Sequence, residues 1–150
     1  MLPHPDFAGI DFPRSLVLGQ VRFTPLSPEY VDEDFDAVMA SAPLLARVFG
    51  SWPEGLTRED NLIDLAWHER EFTSRRSFSW ILRAGAGTYI GCFYIYPGIG
   101  HRGRAQVVLW LCDIDQRDQI AARLKTDILE WLAGTVPEGI VIDWLSSPAV

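Results

Sequence analysis

The period of the apolar positions changes along this chain, and the changes divide it into elements. From Arg104 onward, Val107, Val108, Leu109, Trp110 and Leu111 make an unbroken apolar run, the pattern of a strand covered on both faces. Past Gln119 the period becomes helical, with Ile120, Leu124, Ile128, Trp131 and Leu132 at i, i+4, i+8, i+11 and i+12 on one stripe. The stretch therefore predicts a strand, a short loop and a helix. Asp115 or Asp118 can cap the helix start, and Gly134 followed by Pro137 ends it.

The remainder reads in the same way. Pro3, Pro5 and Pro13 make residues 1–14 an irregular lead-in. Residues 16–24, in which Val21 and Phe23 alternate with Gln20, Arg22 and Thr24, predict a first strand stopped by Pro25 and Pro28. In residues 28–40 an apolar stripe of Tyr30, Val31, Phe35, Val38 and Met39 predicts a helix. Its acids Asp32, Glu33, Asp34 and Asp36 read as a solvated face near a helix start, where negative charge is favourable, and not as a metal site. Residues 41–55 hold a second short helical piece and then a loop. Thr57 and Asp60 have the spacing of a capping box, which opens a long helix running to about Ser77 with Leu62, Leu65, Ala66 and Phe72 inward and Ile63 and Trp67 widening the stripe. Residues 78–83 and 89–96, joined by a glycine-rich turn, predict a hairpin, and a polar turn over 97–103 leads antiparallel into the run at Val107. A final strand over 140–145 follows the helix, and a right-handed crossover makes it parallel to 107–111. The chain is thus expected to be one α/β domain (α+β, with a mixed sheet) ending after a fifth strand.

Composition narrows the function. At 150 residues with 48% hydrophobic content there is material for one substantial core. A net charge of -7 argues against a nucleic-acid footprint. No apolar run reaches the roughly 18 residues that span a bilayer, and residues 1–15 lack the basic start and apolar stretch of a signal peptide. Cys92 and Cys112 lie in apolar runs without CxxC spacing, so buried free thiols in a reducing compartment, the cytoplasm, are expected. His68-Glu69 begins like a zinc helix, but Phe72 stands where the second histidine belongs, so no metal is expected and His68 reads as a surface or boundary residue. Glu69 or Glu71 could serve as a base, but both read first as helix-surface charges.

The segment from Val107 to Ala133 resembles the central motif of the GNAT N-acetyltransferase superfamily, in which a strand ends in a loop of pattern Gln/Arg-x-x-Gly-x-Gly/Ala. Laid on without a gap, Gln116 takes the first position and Ala121 the last, while Gln119 replaces the middle glycine. The element order and the hairpin run Tyr89 to Pro97 agree with the same family. The resemblance implies acetyl-coenzyme A as co-substrate and a small-molecule or peptide amine as acceptor. Leu111 and Asp113 would offer main-chain contacts to pantetheine, and Gln116, Arg117, Asp118, Gln119, Ile120 and Ala121 would surround the pyrophosphate, chiefly through backbone amides. It also implies an acceptor pocket near Trp52 and Glu54.

Three departures leave a second reading open, a non-catalytic module with this fold. Gln119 brings a Cβ where glycine allows positive φ. Asp113, Asp115 and Asp118 put carboxylates near the anion site, offset by Arg117. The family's further helix and two strands, with the tyrosine that often acts as general acid, have no counterpart, so no catalytic residue is assigned. The strand carrying Trp144 would then be an open edge, and a homodimer is the simplest cover.

Overall fold

A computed structural model describes residues 1–146 of the chain. One six-stranded sheet, in the order β1-β2-β3-β4-β5-β6, carries helices on both faces. Its strands are β1 (Leu16–Leu18), β2 (Val21–Pro25), β3 (Phe78–Ala84), β4 (Thr88–Pro97), β5 (Arg104–Leu111) and β6 (Val141–Ser146). Strands β1 to β5 pair antiparallel with their neighbours, and β6 runs parallel to β5 in the register Val107↔Trp144. The helices are α1 (Val31–Ala40), α2 (Ala42–Phe49), α3 (Arg58–Thr73) and α4 (Arg117–Thr135).

The apolar run in β5 is continuous because both of its faces are covered. Val107, Leu109 and Leu111 face a core shared with Leu124, Ile128 and Leu132 of α4, while Val108 and Trp110 face a second core with Val38, Leu45 and Leu65 of α1, α2 and α3. The α4 stripe packs as its spacing requires. Thr57 and Asp60 form the expected capping box, each side chain reaching the other's backbone N–H.

Several expectations change. Residues 16–24 are two strands and not one, because Gly19 takes φ +59° and turns the chain into a tight hairpin. The parallel strand is accordingly the sixth and not the fifth. The lead-in is irregular yet buried: Phe7, Ile10 and Phe12 complete the α4-side core against Phe78 and Trp80. His4 ties it down by donating from Nε2 to the Gly98 carbonyl at 2.8 Å. Helix α3 stops at Thr73, two residues before Arg75 adopts φ +54°. Its buried stripe is Asn61, Leu65, His68 and Glu71, rotated from the predicted one and mostly polar, while Ile63 is 63% exposed. His68 and Glu71 are therefore interior, not surface, residues. Nor is the acidic face of α1 simply solvated: Asp34 is buried, Asp32 pairs with Arg58, and Glu33 pairs with Arg83. Trp144 is not bare, since it packs on Phe93 and under the Lys125 ammonium.

Gly91 shapes the end of the sheet where the chain leaves β5. A bulge between Leu82 and Arg83 pairings lets Ile90 turn into the core and accept the Cys112 N–H at 2.8 Å. At Gly91, with φ +154°, a Cβ would lie 2.0 Å from the Trp110 carbonyl oxygen. Only glycine lets β4 and β5 approach this closely.

Candidate functional site

Beyond Leu111 the chain rises from the sheet through Asp113, Ile114 and Asp115 and turns at Gln116, which takes φ 56° and ψ 29°. That left-handed residue is the N-cap of α4, in place of the predicted Asp115 or Asp118. Its carbonyl accepts the Ile120 N–H at 2.9 Å, but no side chain caps the helix. The amides of Asp118 and Gln119 thus have no capping oxygen, and both residues are exposed. An uncapped helix start of this kind carries partial positive charge and donors directed at solvent.

Gln119 is helical. Among the described residues only Arg75 and Gln116 are non-glycines with positive φ, so the Gln119 Cβ meets no backbone penalty. Ile120 and Ala121 turn into the α4-side core, and Gln116, Asp118 and Gln119 turn outward. Arg117 folds back: its Nε donates to the Leu111 carbonyl at 3.2 Å, and its Nη1 lies 3.7 Å from Asp118 Oδ1. The Leu111 carbonyl, expected to meet pantetheine, is therefore engaged by Arg117. Asp113, Asp115 and Asp118 are all exposed around the helix start.

Trp52 and Glu54 lie in the loop after α2. Trp52 is half-buried, edge-on to Phe49 at 5.4 Å, and belongs to the α1–α3 core, whereas Glu54 is exposed. Neither lines the two cavities described below.

Sequence reasoning missed a buried polar cluster under α1 and α3. Asp34 accepts from Tyr89 Oη at 2.6 Å and from Asn61 Nδ2 at 2.9 Å, and Tyr89 Oη also meets Cys92 Sγ at 2.9 Å. Burial pushes the Asp34 carboxyl above its ordinary range, against the pull of the Tyr89 and Asn61 hydrogen bonds. Burial likewise raises the Tyr89 and Tyr94 hydroxyls and the Cys92 thiol far above their usual ranges, and Cys112 less so. These thiols stay protonated at neutral pH and are poor nucleophiles. The i, i+4, i+7 spacing of Asn61, Leu65 and His68 could have shown the buried face of α3, but of that stripe only Asn61 joins the cluster, and its partners on α1 and β4 left no signal of their own.

A cavity of about 600 Å³ opens at the opposite end of the sheet, between the lead-in, α3 and the β4–β5 turn. A smaller one of about 110 Å³ lies between α4 and the β1–β2 hairpin, beside Ile120 and Arg123. Among the described residues no group of three or more His, Cys, Asp or Glu side chains is placed to hold a metal ion, and no helix is long and apolar enough to cross a membrane.

No family model matches the sequence, and no curated protein matches it closely enough to count. Solved structures do match. The chain is similar to the microcin C7 self-immunity acetyltransferase MccE in complex with acetyl-CoA and AMP, at TM-score 0.70 and 9% identity over 90% of this chain and 73% of that one. It is similar to the ribosomal-protein acetyltransferase RimL in complex with coenzyme A, at TM-score 0.68 and 12% identity over 79% and 67% of the two chains. An acetyltransferase from Thermus thermophilus gives TM-score 0.56 and 19% identity over 83% and 74%. The chain has the fold of the GNAT acetyltransferases: a mixed six-stranded sheet and four helices, with a strand, loop and helix at its centre.

Proposed function

We propose that this protein is a GNAT-type N-acetyltransferase that moves an acetyl group from acetyl-coenzyme A to an amine. The observation that carries the reading is the uncapped start of α4 placed directly behind β5, within a fold shared with acetyltransferases solved with acetyl-CoA or coenzyme A. Backbone amides at Asp118 and Gln119 suit a pyrophosphate, and the main chain at Asp113, just past β5, is left for an extended pantetheine, since Arg117 holds the Leu111 carbonyl. In the reaction the amine lone pair attacks the thioester carbonyl, the coenzyme A thiolate departs, and the amine proton passes to solvent. The protein's part is to hold the two reactants in line. The acceptor is a small-molecule or peptide amine, and Trp52 and Glu54 are the residues offered for its pocket.

One feature supports the alternative, a module that keeps the fold without the chemistry. Asp113, Asp115 and Asp118 crowd the helix start, and each exposed carboxylate there opposes an anion by roughly 0.3–1 kcal/mol. Titration with coenzyme A separates the two. Binding to the folded state raises the melting temperature with ligand concentration. Gln119→Glu places a further negative charge in the first turn of α4, so it should keep or slightly raise stability while weakening coenzyme A by about two- to five-fold. An unchanged melting temperature in millimolar coenzyme A would leave the non-catalytic reading standing.

A further inference from the structure

The large cavity lies about 25 Å from the α4 helix start, the length of β5 at about 3.3 Å per residue, and the acetyl-transfer reading does not use it. Three of its properties point to a ligand. Its size falls within the roughly 300–1,000 Å³ of small-molecule sites, at about 600 Å³. Large apolar side chains stay exposed around its mouth: Ile99 at 95% and Trp67 at 39%. Tyr96 adds a flat wall, stacked on Tyr94 at 5.6 Å. Exposed apolar residues gathered around one concavity, and not scattered, mark a recognition site.

Its charge is the reverse of the molecule's. The chain carries a net -7, yet the ionised groups lining this cavity, histidines aside, are Arg76, Arg102 and Glu71. The Glu71 carboxylate is already taken up, 3.3 Å from Arg76 Nε and 3.9 Å from Arg70 Nη2. Arg76 spends Nε on Glu71 and Nη1 on the Leu2 carbonyl, and Arg102 spends Nε on Asp6. Their remaining guanidinium nitrogens are donors at the cavity with no described partner. A cation would find its only carboxylate occupied, whereas an anion would find donors.

We propose that this cavity binds a small organic acid, with a flat apolar body between Trp67, Tyr96 and Ile99 and a carboxylate toward Arg76 and Arg102. The site is separate from the coenzyme A site, so the two readings fail independently.

Calorimetric titration with phenylbutyrate, phenylbutyramide and phenylbutylamine tests it. Phenylbutyrate should bind saturably and at least about ten-fold more tightly than the amide, the ratio expected of one hydrogen bond to a charged group, with the amine weakest. Ile99→Asp changes a side chain that is 95% exposed, so it should leave the melting temperature unaltered and weaken phenylbutyrate about ten-fold or more. Gln119→Glu should not affect phenylbutyrate. Equal binding of acid and amide, undiminished binding by Ile99→Asp, or no saturable binding at millimolar acid would each overturn the proposal.

Discussion

Asp34 is a carboxylate taken out of water and given two donors, Tyr89 and Asn61, in exchange. Its folded-state pKa is raised above the ordinary 3.8, with burial the largest cause. An acid with a raised pKa holds its proton more tightly in the native state than in the unfolded chain. Its ionisation therefore costs stability as pH rises through the folded pKa, and the cost disappears below 3.8. Asp34→Asn keeps the shape and an acceptor for Tyr89, and Asn61 can turn its amide to match. This variant should be at least as stable as the parent at neutral pH, and the difference should shrink as the pH falls toward 4 in urea denaturation. Asp34→Ala removes both acceptors and should cost about 1–3 kcal/mol for the orphaned donors, measured the same way.

At the scale of the element, α4 begins without a side-chain cap and with a non-glycine in the left-handed region. Such a conformation costs an L-residue roughly 1–2 kcal/mol, part of which glycine avoids. Gln116→Gly should raise stability by up to about 1 kcal/mol, read as a higher urea midpoint at unchanged slope. A fall in stability would show that the Gln116 side chain, and not the turn, holds the helix start. Helix α3, on the opposite face of the sheet, is capped instead. Its capping box satisfies both sides at Thr57 and Asp60, and the hydrogen bonds from Thr57 hold the Asp60 carboxyl below its usual range.

For the whole molecule, the sheet needs covering on both sides, and on the α4 side one helix is not wide enough. Phe7, Ile10 and Phe12 of the lead-in fill the remainder, and Phe12 meets Phe78, Trp80 and Trp131 at 4.6, 6.0 and 5.5 Å. Deleting residues 1–12 should therefore expose aromatic surface and abolish cooperative unfolding, seen as dye binding and the loss of a sigmoidal urea transition. Phe12→Ala alone should cost about 3–5 kcal/mol. A truncated chain that melted as sharply as the full one would refute the lead-in's part in the core.

Wherever an element buries an apolar face of regular period, its existence and direction followed from sequence. The unbroken run at Val107 has the length and composition of a strand covered on both sides, the stripe from Ile120 to Leu132 has the period of an amphipathic helix, and the helix between two strands made them parallel. The loop that faces solvent at the start of α4 was legible for the same reason, as the place where one period gives way to the other. What local pattern could not carry were contacts between residues far apart in the chain. Asp34 is interior because Asn61 and Tyr89, 27 and 55 residues away, supply its hydrogen bonds. The turn of Arg117 onto the Leu111 carbonyl was likewise hidden, since a side chain's direction depends on which partner lies within reach. So was the cavity, whose walls come from residues near 2, 67, 76 and 96–102. Periodicity reports which face of an element avoids water, and tertiary structure alone decides which polar groups it can afford to take along.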